Sequence, residues 1–254
     1  MWLNLASFHA ALHTESTARR VVYLTSTRST MDIARREAEE GADDGTLVIA
    51  EEQSAGRGRF GRRWISPAGT NLYFTLALRP SPPLLRRLAI VSALAVCLAV
   101  EEVAGIPTQV KWPNDVQIGG RKLAGVLIES ELAGSDVRYV LVGVGINVNY
   151  RIDDPEISDI ATSLLKEVGS PVSREALLAA VMNRFEELCN GDPATAHTDW
   201  KSRLTTLGQA VTVRHRDETY HGLAEDVDAG GSLLLRTPAG ELLTLEAGEV
   251  SLRA

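Results

Sequence analysis

The sequence predicts an α+β protein with two domains, and two features of its hydrophobic pattern lead to this prediction. Up to about residue 205, apolar strand patterns alternate with helix patterns, which predicts a sheet flanked by helices. From Gly208 onward the pattern changes to short alternating strands, and about 47 residues of this kind predict a small barrel. A chain of 254 residues can hold one substantial core and a small second domain. We therefore divide the chain into residues 1–205 and 206–254.

Apolar spacing and turn signals place the individual elements. Ser29 and Thr30 are cap candidates for the first predicted helix, and Gly119-Gly120 is a two-residue link typical of a hairpin. The predicted strands of the first domain are 21–25, 46–52, 70–78, 108–112, 116–118, 121–131 and 137–149. The predicted helices are 29–40, 88–100 with an end near Gly105, 173–190 and 192–204. The predicted strands of the second domain are 209–215, 219–227, 232–237, 241–248 and 249–254.

The longest apolar run, residues 88–100, is too short to cross a bilayer. It lies between Arg86-Arg87 and Glu101-Glu102, which favours a buried helix. Cys97 and Cys189 fall in predicted helices, where reduced core cysteines are typical of a cytosolic protein. The N-terminal segment lacks the basic start and cleavage site of a signal peptide. We therefore expect a cytoplasmic protein.

The stretch AGRGRFGRRW (55–64) contains G-x-G-x-x-G after an apolar run, as dinucleotide-binding turns do. In such a turn a helix follows the glycines at once, whereas Ser66-Pro67 interrupts any helix here and the next element is a strand. A dinucleotide site also needs an acidic residue about twenty positions later, and no Asp or Glu occurs between Gln53 and Val100. The sequence therefore excludes a dinucleotide-binding turn.

The same loop concentrates four arginines within residues 56–63, in a chain whose formal net charge is −7. Arginine forks bind phosphate or carboxylate, and glycine lets the backbone approach a ligand closely. Such a loop repels itself when empty and gains most from a bound anion. A solvated basic loop is the alternative that composition alone leaves open.

Two further stretches place a lysine beside a turn. The chain has only four lysines against twenty-two arginines, and Lys111 in KWPND and Lys122 in GRKLAG are two of the four. A lysine in an otherwise apolar strand either reaches solvent or points into a pocket. The glycines at 143 and 145 permit close approach of a flat ligand, and Asn147 either reads a polar edge of that ligand or ends the strand.

Taken in order, these motifs resemble those of the biotin protein ligases. The resemblance rests on STMD, EEQSAGRGRFGRRW, KWPNDV, RKLAGVLIE and GVGINVN, between about residues 20 and 150. It implies a catalytic domain with a mixed β-sheet flanked by helices, akin to the class II aminoacyl-tRNA synthetases, and an SH3-like C-terminal barrel. It also implies an enzyme that makes biotinyl-5′-AMP from biotin and ATP and then transfers biotin to a lysine of an acceptor protein.

The resemblance also implies roles for residues that match the family's motifs. The catalytic candidates are Lys122, Arg57 and Lys111. The implied biotin-binding residues are Ser29, Thr30, Met31, Gln53, Gly56, Arg57, Gly58, Arg59, Lys122 and Gly125. The implied ATP-binding residues are Arg57, Arg59, Trp64, Lys111, Asn114 and Asn147. Mg²⁺ is expected to accompany ATP, with Asp115 as an indirect partner and no residue assigned as a metal ligand.

The sequence also departs from the family pattern. Met31 stands where the family often has a polar side chain, so its contact with biotin is expected to be apolar. Only about twenty residues precede the first strand, too few for the DNA-binding domain of some family members, so we expect no repressor activity. The expected partner is the biotin carboxyl carrier protein of acetyl-CoA carboxylase or a related carboxylase, with no nucleic acid and no membrane. A monomer and a homodimer both stay open.

Three rival functions are weaker. A lipoate or octanoate ligase has a related fold and similar adenylation chemistry, but the GRGRFGRRW loop and KWPND favour biotin. A non-catalytic biotin or nucleotide sensor would not need both Lys111 and Lys122. A nucleic-acid binder would need a basic face, which a chain of net charge −7 does not offer outside the arginine loop.

Overall fold

The structure, a computed structural model, describes residues 2–133, 136–152, 157–215, 218–246 and 248–252. The helices among these residues are α1 Leu5–Ala11, α2 Thr30–Glu39, α3 Pro82–Ala104, α4 Leu164–Val168, α5 Arg174–Asn190 and α6 Pro193–Ser202. The first seven strands are β1 Val21–Leu24, β2 Thr46–Ala50, β3 Leu72–Leu78, β4 Gln109–Lys111, β5 Asp115–Ile118, β6 Arg121–Ala133 and β7 Asp136–Ile146. The last five are β8 Ala210–His215, β9 Glu218–Val227, β10 Leu233–Arg236, β11 Leu242–Leu245 and β12 Glu249–Leu252.

Strands β1 to β7 form one mixed sheet in the order β1-β2-β3-β7-β6-β5-β4. Strands β1 and β2 pair in parallel, and the other neighbouring pairs are antiparallel. Each predicted strand of the first domain is present, with ends that differ by a few residues. The expected mixed sheet flanked by helices is therefore confirmed.

The alternation of side chains along β2 shows how the helices cover this sheet. Leu47 and Ile49 belong to the same core cluster as the buried residues of α3. Val48 instead packs with Ala34 and Ala38 of α2. Helices α2 and α3 therefore lie on opposite faces of the sheet, and α3 also packs against α5 and α6.

Helix α3 is longer than the apolar run that predicted it. Pro82 occupies its first turn, where the missing N–H has no intrahelical partner to lose, and Gly105 ends it with φ +66°. By length and composition this 23-residue helix could cross a membrane, but 61% of its most apolar 18-residue window is buried inside the protein. It is therefore a core helix, as predicted, although the reason is its burial and not its length.

Local signals predicted some elements and missed others. The Gly119-Gly120 hairpin is confirmed, and both glycines have the positive φ that a type I′ turn requires. Helices α1 and α4 and the 3-10 turn at Arg59–Gly61 were not predicted. The sequence also predicts turns at AGSD (133–136) and RDE (216–218), and residues 134–135 and 216–217 of these turns lie outside the described residues.

The last five strands form an antiparallel sheet in the order β11-β10-β9-β8-β12. Its inward-facing side chains, among them Val211, Val213 and Leu235, belong to the same hydrophobic cluster as α3 and β3. The five short strands were predicted from the sequence, while the SH3-like and synthetase-like labels stay predictions. Because the two sheets share a core, the turns of the second sheet lie beside the first domain.

Candidate active site

A cavity of about 340 Å³ lies between the N-terminus of α2, the loop 56–64, strands β6 and β7, and strand β12. It brings together most of the residues that the sequence assigned to biotin and ATP. The assigned residues that line it are Ser29, Thr30, Met31, Gln53, Arg57, Gly58, Arg59, Trp64, Lys111, Lys122, Gly125 and Asn147. Gly56 and Asn114 do not line the cavity but are buried in the structure that supports its wall.

The glycine- and arginine-rich loop is closed by its own backbone. Trp64 N donates to Gly56 O at 2.9 Å, and Gly58 N donates to Arg62 O at 2.7 Å. A Cβ on Gly56 would lie 2.6 Å from the carbonyl oxygen of Trp64, so this approach of the two chain segments needs glycine. The loop leads into β3 and not into a helix, which confirms that it is not a dinucleotide-binding turn.

Two arginines of the loop form ion pairs with carboxylates at the rim of the cavity. Arg57 Nη1 lies 2.6 Å from Asp32 Oδ1 in the first turn of α2. Arg62 pairs with Glu249 at the start of β12. Arg63 forms no salt bridge within the described part of the chain. These pairs offset part of the repulsion within the loop, and they tie it to α2 and to the C-terminal sheet.

Arg59 is held by neutral acceptors and pairs with no carboxylate among the described residues. Its Nη2 donates to Gly248 O at 3.0 Å, and its Nη1 donates to Asn114 Oδ1 at 3.3 Å. Asn114 is in turn fixed because its Nδ2 donates to Val126 O at 2.7 Å. Burial lowers the pKa of the Arg59 guanidinium below its ordinary value. Arg59 is therefore a partly buried cation whose position depends on both sheets.

Lys122 reaches the cavity because β6 contains a bulge. The register with β5 shifts between Val116, which pairs with Ala124, and Gln117, which pairs with Lys122. In a regular strand Lys122 and Gly125 would point to opposite faces, because they are three residues apart. The bulge brings them to the same face, and a Cβ on Gly125 would lie 3.1 Å from Lys122 Nζ.

The ammonium of Lys122 has one carboxylate partner within the described residues. Its Nζ lies 2.7 Å from Asp115 Oδ1 and 5.4 Å from the centre of the Trp64 ring. On the backbone, Lys122 N donates to Ile160 O, and Thr162 N donates to Lys122 O. The backbone of Lys122 therefore pairs with residues 160–162 as well as with β5. Even so, 34% of the Lys122 side chain stays exposed.

Facing glycines on β6 and β7 make a flat floor in the cavity. Gly125 and Gly145 are directly opposite each other, and a Cβ on Gly145 would lie 2.4 Å from Trp64 Cε2. Likewise, a Cβ on Gly143 would lie 2.6 Å from Met31 Sδ. The sequence predicted that Gly143 and Gly145 permit close approach of a flat ligand. In this structure the indole of Trp64 lies against Gly145, and the side chain of Met31 lies against Gly143. Trp64 Nε1 is buried there without a hydrogen-bond partner among the described residues.

The N-terminus of α2 presents a set of linked polar groups beside apolar side chains. Thr30 donates to Gln53 Oε1 from its N at 2.9 Å and from its Oγ1 at 3.1 Å. Gln53 Nε2 donates to Ser66 Oγ at 3.0 Å, and Thr75 Oγ1 donates to Thr30 Oγ1 at 2.9 Å. Met31 lies next to them, 3% exposed. The network fixes Thr30 and Gln53 at the wall of the cavity.

Lys111 and Asn147, two further assigned residues, differ in how many partners their side chains have in the structure. Lys111 lines the cavity and forms no salt bridge with a described residue. Asn147 also lines it, but its Nδ2 donates to Thr162 O at 3.1 Å and its Oδ1 accepts from Asn71 Nδ2 at 3.5 Å. The amide of Asn147 therefore already holds the chain segment beside Lys122.

The charges of the cavity are opposite in sign to those of the chain. Among the residues that line it, the cations are Arg57, Arg59, Arg62, Arg63, Lys111 and Lys122, and the carboxylates are Asp115 and Glu249. Six cations against two carboxylates, in a chain of net charge −7, make the cavity suited to a ligand with several negative charges.

Comparisons with known proteins identify the family of this chain. A model described as the Biotin/lipoate A/B protein ligase family matches residues 23–147, and one described as the Biotin protein ligase C terminal domain matches residues 206–253. A biotin--[acetyl-CoA-carboxylase] ligase of Paracoccus denitrificans is 38% identical over 221 residues, which cover 83% of this chain and 91% of that protein. This chain belongs to the biotin protein ligase family. It is therefore a ligase.

Other relatives of this ligase support the same assignment. The bifunctional ligase/repressor BirA of Bacillus subtilis is 36% identical over 246 residues, which cover 94% of this chain and 76% of that protein. Among solved structures, a biotin protein ligase from Aquifex aeolicus in complex with biotin and ATP aligns with a TM-score of 0.77. It is 33% identical, and the alignment covers 92% of this chain and 99% of that one.

The sequence missed part of the cavity of this ligase. Gly248, Glu249 and Val250 line it from the C-terminal sheet, and 157–161 contributes Ile157, Ile160 and Ala161. No local pattern marks either segment, because each reaches the cavity only through tertiary packing. Asp115 was considered only as an indirect partner of Mg²⁺, although its place in KWPND could have identified it as the partner of Lys122.

Proposed function

We propose that this ligase forms biotinyl-5′-AMP from biotin and ATP and then transfers biotin to a lysine of a carrier domain. The observation that carries the proposal is the single cavity in which Lys122 and five further cations surround a floor of glycines beside a fixed polar network. Both reactants are anions, so their reaction needs fixed positive charge where negative charge develops.

For the first step, we place the ring system of biotin beside Ser29, Thr30 and Gln53, with Met31 and Gly125 as the apolar contacts. Gly56 acts indirectly, because a Cβ there would lie 3.0 Å from Gln53 Nε2. Gly58 lines the cavity with loop arginines on either side of it. The carboxylate of biotin would then lie toward Lys122.

The carboxylate oxygen of biotin attacks the α-phosphorus of ATP, the bond to the β-phosphate oxygen breaks, and pyrophosphate leaves. Arg57, Arg59, Lys111 and Lys122 supply positive charge for the phosphates in this proposal. Arg59 fits this role because it is a planar fork that is already partly buried.

The remaining nucleotide contacts are proposed on the same basis. Trp64 would supply an aromatic face for the adenine ring, since its indole already lies on the floor of the cavity. Asn114 acts through Arg59, to which it is hydrogen-bonded, and Asn147 acts through the segment that ends at Thr162. The ordered loop 56–64 would also shield the mixed anhydride from water until the acceptor arrives.

In the second step, the amine of the acceptor lysine attacks the carbonyl carbon of the mixed anhydride. An amide bond forms, the bond between that carbon and the phosphate oxygen breaks, and AMP and a proton leave. The name of the relative from Paracoccus denitrificans supports acetyl-CoA carboxylase, or a related carboxylase, as the source of the acceptor, which we place in its biotin carboxyl carrier domain.

Mg²⁺ is proposed to arrive with ATP. The described residues contain no group of three His, Cys, Asp or Glu side chains that could hold a metal. Mg²⁺ commonly takes one or two carboxylates together with substrate phosphates and water. Asp115 fits that donor set because it is a carboxylate that lines the cavity. The ion would neutralise phosphate charge there.

We also infer that the protein does not bind operator DNA. Its net charge is −7, and two arginines of the basic loop are already paired with carboxylates. A gel shift with DNA at low salt tests this inference, and salt-dependent binding would contradict it.

The cysteines support a cytoplasmic location for the protein in this proposal. Cys97 and Cys189 are free thiols, as is usual for proteins of a reducing compartment.

The deciding experiment is biotin-dependent exchange of labelled pyrophosphate into ATP, with lipoate and octanoate as parallel substrates. Exchange with biotin alone is the expected result. Exchange only with lipoate or octanoate would support a second candidate function, that of a lipoate or octanoate ligase. The family model that matches residues 23–147 covers biotin and lipoate ligases alike. The absence of exchange with any acid, in folded protein with Mg²⁺, would contradict ligase chemistry.

A further inference from the structure

The indole of Trp112 links the KWPND turn to the C-terminal sheet. Trp112 is 2% exposed, and its Nε1 donates to Gly231 O at 2.8 Å. Its backbone N donates to Thr206 Oγ1 at 3.0 Å. Trp112, in the middle of the KWPND motif, is thus hydrogen-bonded through its side chain and through its backbone to residues beyond 205.

The acceptor of this bond is itself rigidly held. Gly231 lies in the turn between β9 and β10, with φ +87°, and Asp228 Oδ1 accepts from Gly230 N and Ser232 N at 2.9 and 2.8 Å. His197 of α6 bonds to Asp228 O at 2.8 Å. The carbonyl that Trp112 meets therefore has a fixed position relative to the first domain.

A second turn of the same sheet approaches the same place. Gly248 O accepts from Arg59 Nη2, and a Cβ on Gly248 would lie 2.6 Å from Val213 Cγ1 and 3.5 Å from Trp112 Cζ3. The C-terminal sheet thus presents two backbone carbonyls, of Gly231 and Gly248, to one tryptophan and one arginine of the site.

The hairpin that contains Trp112 also contains three polar residues of the site. Lys111 lines the cavity, Asn114 bonds to Arg59, and Asp115 pairs with Lys122. A rotation of Trp112 would move all three, because they belong to the same short hairpin between β4 and β5. The position of the nucleotide-binding groups therefore depends on the bond between Trp112 and Gly231.

We propose that Trp112 is a positioning residue through which the C-terminal sheet fixes the nucleotide side of the active site. The inference rests on the proposed function, since it concerns the binding of ATP. It gives the C-terminal sheet a defined role, because the turns of that sheet set the positions of Lys111, Asn114 and Asp115. The polar network of Thr30 and Gln53 is held without it.

The chain offers a matched control. Trp200 is also fully buried. Its ring lies against the same Gly231, because a Cβ on that glycine would lie 3.5 Å from Trp200 Cη2. Its Nε1, however, has no hydrogen-bond partner among the described residues. Trp112→Phe and Trp200→Phe therefore remove the same atoms from the same region, but only the first removes a hydrogen bond.

The test measures KM for ATP and KM for biotin in the pyrophosphate exchange reaction, for wild type and both variants. For Trp112→Phe we expect KM for ATP to rise about five- to tenfold, the effect of one buried hydrogen bond, while KM for biotin changes less than about twofold. For Trp200→Phe we expect both values to stay within about twofold of wild type.

Equal effects of the two substitutions on KM for ATP, or an equal rise of both KM values in Trp112→Phe, would overturn the inference. If Trp112→Phe does not fold, Thr206→Val replaces it, because this change removes the other bond to Trp112 without altering the ring. A selective rise of KM for ATP supports the inference, and its absence overturns it. A wild-type protein without exchange would overturn the proposed function itself, and the inference with it.

Discussion

Lys122 shows at the scale of one residue how strand geometry determines the chemistry of a side chain. The bulge in β6 places it over Gly125, on the cavity side of the sheet. Its ammonium is paired with Asp115 but partly exposed, so a bound phosphate can share or replace that carboxylate. The cation is thus held in place by the fold before the ligand arrives.

Substitution of this lysine tests its role directly. We expect Lys122→Ala to lower the rate of biotinyl-5′-AMP formation by about 10²- to 10³-fold, the usual cost of one preorganised charge. The fold should persist, because the buried neighbours Leu123 and Ala124 supply the packing of the strand. The measurements are pyrophosphate exchange and thermal unfolding.

Lys166→Ala is the matched control, because Lys166 is exposed on α4 and does not line the cavity. We expect it to leave the exchange rate unchanged. An unfolded Lys122→Ala variant, or one with the full exchange rate, would contradict the role assigned to Lys122.

At the scale of an element, one carboxylate of α5 holds the chain segment that precedes β1. Glu186 accepts from the backbone N of Glu15, Ser16 and Thr17 at 2.6, 2.9 and 2.7 Å. Burial alone would raise the pKa of Glu186, but hydrogen bonds from the backbone N–H of Thr17, Glu15 and Ser16 lower it to about 2. The ionised form therefore stabilises the folded state.

We expect Glu186→Gln to lower the free energy of unfolding at neutral pH by about 1–2 kcal/mol, after discounting for solvent screening. Because the pKa is lower in the folded state, this stabilisation is complete above the unfolded pKa of about 4.5 and decreases as the pH falls toward 2. The difference between variant and wild type should shrink over that range in urea unfolding experiments.

Glu187→Gln is the control, since that neighbour is exposed and pairs with Arg184. A pH-independent difference would contradict the assignment.

The elements show which features a sequence can predict. Ser29, the Gly119-Gly120 link and Gly105 act within a few residues of their own position, and all three were predicted. The bulge beside Lys122 was not, because the pairing of two strands creates it and neither strand encodes it alone. Helix α1 was missed for a related reason: seven residues form a stable helix only when packed, here against α5.

The same distinction between local signals and long-range contacts applies to the candidate site. The motifs identified Lys111, Lys122 and the arginines of the loop, which line the cavity, because these cations stand out in a chain of net charge −7. They did not identify Gly248 or Glu249, which approach Arg59 and Arg62 from the end of the chain. A contact between residues almost 190 positions apart leaves no local pattern.

At the scale of the whole molecule, the two sheets share one hydrophobic cluster. Val211, Val213 and Leu245 of the second sheet belong to the cluster that contains most of α3 and β3. Across the same boundary, Lys201 pairs with Asp226 at 2.7 Å. A continuous core of this kind predicts that both parts unfold in one cooperative transition.

A substitution in the second sheet tests this cooperativity, because all four tryptophans lie in residues 1–205. Val213 is fully buried, and Val213→Ala should lower the free energy of unfolding by about 2 kcal/mol through lost apolar burial and a residual cavity. We expect the urea midpoint measured by tryptophan fluorescence to shift as far as the midpoint measured by far-UV circular dichroism. Thr244→Ala, at an exposed position of β11, should shift neither midpoint.

If fluorescence keeps the wild-type midpoint while circular dichroism shows a second phase, the C-terminal sheet unfolds independently. The bond between Trp112 and Gly231 could then not position the active site throughout the folded range.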